Sequence, residues 1–123
     1  WCGYFVSFVY KTCQVAHSVR FSPRARDWFD DPKRIVWRKN FQYGVIKPKP
    51  QKGDLIGYKF TAGNIGHIEI LYEWGEDYFI SIGGNTSASG SVLRDANTGA
   101  DGVRLKKRKT STAYVIANHI DTL

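Results

Sequence analysis

Methionine is missing from this 123-residue chain and cysteine nearly so, with only Cys2 and Cys13 present. Two cysteines exclude a disulfide-dense scaffold. Nor do they suit each other as partners. On a helix with ~1.5 Å rise per residue, eleven residues separate their Cα atoms by roughly 16 Å. A disulfide tolerates roughly 7 Å. No apolar run approaches the roughly 18 residues that cross a bilayer, so no membrane span is expected. The apolar start at Trp1 also lacks the basic flank and small-residue cleavage site of a signal peptide. A chain that opens on Trp and holds no Met is expected to be part of a longer product, with an upstream segment missing. Acidic residues are few: 11 Asp and Glu against 18 Lys and Arg leave a formal charge of +7. That excess favours an anionic partner such as nucleic acid, an acidic membrane surface or bacterial wall polymer, without choosing among them.

The length suits one domain spanning residues 1–123 with a single core. Hydrophobic residues at 42% and charged residues at 24% are ordinary globular usage, so the chain should fold. Phe5, Val6, Val9, Cys13 and Ala16 recur at steps of three and four from Cys2. This spacing predicts a largely buried helix over residues 2–17 with Cys2 in its first turn. Residues 22–53 hold all four prolines, Pro23, Pro32, Pro48 and Pro50. Long regular elements are not expected there, only a short helical turn at Asp27–Phe29. After Gly53 the pattern becomes strand-like at 54–60, 66–73 and 78–82, with further strands at 102–107 and 113–117. The Gly-, Ser- and Asn-rich stretch 83–102 is expected to be loop. The fold class is therefore α+β, an N-terminal helix packed on a small antiparallel, barrel-like sheet.

Cys2 stands where a helix start, with its unpaired N–H groups and positive dipole end, favours a thiolate. Thiolate chemistry needs an imidazole. His67 suits best, because it lies on a predicted strand just after Gly66 and shares a face with Glu69 and Leu71. His17 sits roughly 22 Å from Cys2 along the same helix, and His119 lies beyond the last strand. Cys13 reads as core packing. Two Cys and three His in no ligand-pair spacing give no zinc site. Asp95–Gly102 lacks the spaced ligand and closing Glu of a calcium loop and reads as a turn.

Four blocks, Trp1-Cys2-Gly3-Tyr4-Phe5-Val6-Ser7, Lys52-Gly53-Asp54-Leu55-Ile56, Gly66-His67-Ile68-Glu69-Ile70 and Ile82-Gly83-Gly84-Asn85-Thr86-Ser87, together resemble the CHAP family of cysteine, histidine-dependent amidohydrolases and peptidases. The similarity runs from residue 1 to about residue 116. It implies a papain-like fold and hydrolysis of an amide or peptide bond in peptidoglycan, with Cys2 as nucleophile, His67 as base and no cofactor or metal. Asn85 matches the polar residue that closes the family's third motif. The commonest family pattern has Glu two residues before that Asn, where this chain has Gly83. Same-face neighbours on a strand lie about 7 Å apart at Cα, which favours Asn85 over Glu69 as the group that orients the imidazole. Asn85 could equally serve as a turn residue after two glycines. Glu69 then reads as a solvated or substrate-facing carboxylate, and Trp1, beside the nucleophile, as a candidate substrate contact. The resemblance further implies a phage lysin, a virion-associated lysin or a bacterial wall-remodelling enzyme, acting in the wall or periplasm.

Two other classes are compatible with the residues. Basic clusters at Lys33-Arg34, Arg38-Lys39 and Arg104–Lys109, with Trp37 and Phe41 nearby, would suit a β-rich nucleic-acid-binding module. The absent Glu would suit a wall-binding domain whose catalysis has lapsed.

Overall fold

The computed structural model, described for residues 2–13, 22, 24–39, 49–59, 65–86 and 102–120, is α+β and mostly β. One helix, α1 (Cys2–Thr12), lies against an antiparallel sheet of six strands. In chain order these are β1 (Ile35–Arg38), β2 (Leu55–Lys59), β3 (Ile65–Glu73), β4 (Tyr78–Thr86), β5 (Gly102–Lys109) and β6 (Val115–Ala117). Their order in space is β1-β6-β2-β3-β4-β5. The expected helical turn forms as a 3-10 helix at Ala25–Phe29. Among the described residues no helix is long and apolar enough to cross a membrane.

Two expectations about strands are corrected. β1 forms inside the proline-rich connection, because four residues too short to display a period find a partner in β6, far away in sequence. β4 continues through Gly83, Gly84 and Asn85 to Thr86 rather than ending at 82. Pairing with β5, which sets Gly83 opposite Arg104 and Thr86 opposite Gly102, overrides the local turn preference of these residues.

Helix α1 buries Val6, Ser7 and Tyr10, with Phe5 and Val9 partly covered. Cys13 is exposed and free, not part of the core as the spacing implied. The buried stripe runs through small residues that an apolar pattern does not reveal. Gly3 is buried, and the Ser7 hydroxyl donates back to its carbonyl at 2.9 Å. At the other end of the helix the Tyr10 hydroxyl donates to the Gly53 carbonyl at 2.8 Å, fixing that end beside the start of β2. Gly53 has φ +95, a left-handed conformation open to glycine, and turns the chain into β2.

Strand alternation divides the core in two. Val6 and Tyr10 pack with Leu55, Ile68, Ile70, Val115, Ala117, Trp28 and Phe29 on one face. Ile56, Tyr58, Leu71, Phe79, Ala113 and Ile116 fill the other. Trp28 is fully buried, so its truncation to Ala should cost about 3–5 kcal/mol.

Candidate active site

Register places the site. Tyr58 of β2 lies directly opposite His67 of β3, and their rings stack at 5.6 Å between centroids. Leu71 pairs with Ser81, so continuing that register sets Gly83 opposite Glu69. From β5, Arg108 lies opposite Phe79 and extends its guanidinium past Ser81 to the same carboxylate. His67, Glu69, Tyr58, Ser81 and Arg108 thus meet on one face of four adjacent strands.

Glu69 is the hub, with no exposed surface. His67 Nε2 lies 2.8 Å from its Oε2, and Arg108 donates to the same oxygen at 3.2 Å. The hydroxyls of Tyr58 and Ser81 donate to Oε1, at 2.9 and 2.5 Å. Burial is the largest influence on this carboxyl and raises its pKa. The His67 hydrogen bond, the Arg108 charge, the Ser81 hydroxyl and the His67 charge oppose it and together hold the pKa down at about 2, from an ordinary 4.5. An ionised carboxylate only accepts, so Nε2 carries the proton it shares with Glu69. Burial first, and then the Glu69 charge, push the Tyr58 phenol up, keeping it a protonated donor.

The space Glu69 occupies is opened by Gly83. A Cβ at that position would collide with the Glu69 carboxyl group, standing 2.6 Å from its Cδ. A carboxylate arriving from β3 and a side chain arriving from position 83 therefore exclude each other. This corrects two expectations: Glu69 is buried rather than solvated, and it reaches His67 directly although their Cα atoms are two residues apart on one strand. The Glu69 side chain fills the volume left over Gly83 and there meets the His67 ring.

Cys2 heads α1, and Asn85 lies on β4; the side chains of both, like Trp1, His17 and residues 95–101, are outside the described residues. His119 is fully buried, its Nε2 lying 2.6 Å from the Trp28 carbonyl, and belongs to the core. Helix α1 packs against β3 and β4. The sides differ: Ile68 and Ile70 meet α1, while His67 and Glu69 alternate to the opposite face. A thiol at the helix head can meet the imidazole only around the start of β3, where His67 is the third residue.

Sequence reasoning missed Tyr58, Ser81 and Arg108. Their signal was positional, since each falls on the inward face once the strand registers are known. Among the described residues no group of three or more His, Cys, Asp or Glu is arranged to hold a metal ion. No model of a known protein family matches the chain, and no curated protein or solved structure matches it.

Proposed function

We propose that the chain is a cysteine amide hydrolase of the CHAP type, papain-like in fold, that cuts a peptide or amide bond of peptidoglycan. Cys2 is the nucleophile, His67 the general base and Glu69 the residue that orients the imidazole. The observation that carries the reading is the hydrogen bond between the His67 ring and the buried Glu69 carboxylate, which is seated over Gly83. It supplies the third member of a catalytic triad from β3, at the position where the family's usual Glu is absent from β4.

In this mechanism Nδ1 takes the thiol proton, assisted by the positive end of α1, and the thiolate attacks the carbonyl carbon. Glu69 stabilises the imidazolium that results. Breakdown of the tetrahedral intermediate transfers the Nδ1 proton to the leaving amine and leaves an acyl group on sulfur. Water, activated by the same nitrogen, then releases the acid. The reading requires the Cys2 sulfur to reach Nδ1 around the start of β3. The excess of basic residues assists approach to an anionic wall outside the cytoplasm, as in a phage lysin or a wall-remodelling enzyme.

Digestion of purified peptidoglycan, with mass spectrometry of the products, tests the proposal. Wild type should release new amino-sugar-linked or peptide termini, and Cys2→Ser none. Cleavage that survives Cys2→Ser removes the mechanism.

A further inference from the structure

Glu69 fixes the imidazole and at the same time acts against its use as a base. A carboxylate on Nε2 orients the ring, but its charge also favours the protonated imidazole, which has no capacity left to take a thiol proton. A second charge on the same face opposes that effect. The Arg108 guanidinium reaches the very oxygen that His67 uses, so that guanidinium and imidazole lie 3.2 and 2.8 Å from Glu69 Oε2. Both also lie against the Tyr58 ring, at 5.2 and 5.6 Å from its centroid. Two shared neighbours thus hold the guanidinium within about 6 Å of the imidazole.

The way Arg108 binds points to its charge more than to its hydrogen bonds. A guanidinium that serves as the partner of a carboxylate commonly docks as a fork, with two parallel N–H···O bonds. Arg108 makes one such bond, at 3.2 Å, and among the described residues its buried Nε has no acceptor. Oε1 is taken by the hydroxyls of Tyr58 and Ser81 instead. Both are neutral donors, since burial keeps the phenol protonated. His67 therefore faces the Tyr58 phenol from β2, the Glu69 carboxylate from its own strand and the Arg108 guanidinium from β5, and the proposed mechanism adds Cys2 from the head of α1. Arg104 and Lys106 share the Arg108 face of β5, opposite Gly83 and Ser81, and have contacts of their own. Arginine stays charged throughout the range in which an imidazole titrates, so its influence on the ring is constant.

We propose that Arg108 is a positioning residue that keeps the His67 imidazole unprotonated near neutral pH, offsetting the charge of Glu69 so that the ring can serve as a base. The consequence for catalysis rests on the hydrolase reading above, whereas the charge effect is measured without any cleavage. NMR titration of isotope-labelled histidine rings in the full chain reads it, with His67 assigned by its loss in His67→Ala. Removing a nearby positive charge makes protonation easier. Arg108→Gln should therefore raise the pH at which His67 protonates by about one unit, the effect of a unit charge at about 6 Å in partly solvated surroundings. Arg108→Lys, which keeps the charge, should titrate within about 0.3 unit of wild type. A role confined to packing would move neither titration. In peptidoglycan digestion the acid limb of the Arg108→Gln rate should move up by the same amount. Should Arg108→Gln fail to fold, the comparison is made in a Glu69→Gln background, where no buried carboxylate loses its counter-charge, and the same upward shift is expected. A His67 titration that Arg108→Gln leaves unchanged, or that Arg108→Lys moves as far as Arg108→Gln does, overturns the proposal. The expected shift in a chain that cleaves no peptidoglycan upholds the charge effect and removes the hydrolase reading alone.

Discussion

Replacing Glu69 by Gln removes one charge from the centre of the site while keeping its shape. The carboxyl titrates at about 2 in the folded chain against an ordinary 4.5, a difference worth about 3 kcal/mol. Glu69 has no exposed surface, but the Arg108 and His67 side chains are 28% and 16% exposed, so solvent screens part of this and about 2 kcal/mol is expected. A folded-state pKa below the unfolded one gives stability that is full above about 4.5 and lost as pH falls towards about 2. Thermal unfolding of wild type and Glu69→Gln should therefore differ by roughly 8 °C at pH 7, at about 4 °C per kcal/mol for a chain of this size. The gap should narrow through the acid range and nearly close by about pH 2. In parallel, hydrolysis should fall roughly 100-fold or more, because the imidazole loses both its orientation and the charge that stabilises its protonated form. A Gln variant as stable as wild type at pH 7, or a gap that ignores pH, would refute the view of Glu69 as an ionised hub.

Gly83→Ala should destabilise by roughly 1–3 kcal/mol in denaturant titration, since its Cβ meets the Glu69 carboxyl. The exchange Glu69→Gly with Gly83→Glu should regain a measurable part of the hydrolysis that Glu69→Gly alone loses, as the carboxylate then enters the same space from β4. Tyr58→Phe leaves Glu69 Oε1 with the Ser81 donor and should cost about 1–2 kcal/mol in the same titration. Cys13→Ser, at an exposed free thiol, should change stability by less than about 0.5 kcal/mol and leave hydrolysis intact.

How far the sequence disclosed the fold follows from where its period is visible. β3 and β5 alternate over eight or nine residues, and their extents were readable to within a residue or two. β1 has four residues and the end of β4 is Gly-Gly-Asn-Thr, so both depend on partners that no local window contains. The site was legible in the same uneven way. His67 and Glu69 could be assigned to one face by alternation, but spacing at Cα hid their contact. What permits the contact is the missing side chain at Gly83, fourteen residues away, and an absence on a neighbouring strand leaves no mark in the local pattern.

Whether the Cys2 sulfur meets the His67 imidazole is tested most directly by the pH dependence of thiol alkylation. In a Cys13→Ser background, the rate of iodoacetamide reaction at Cys2 should persist well below the ordinary thiol pKa of about 8.5. Adding His67→Ala should return the profile to that of an ordinary thiol. A sulfur that titrates near about 8.5 in both proteins would contradict the pairing on which the proposed hydrolase depends.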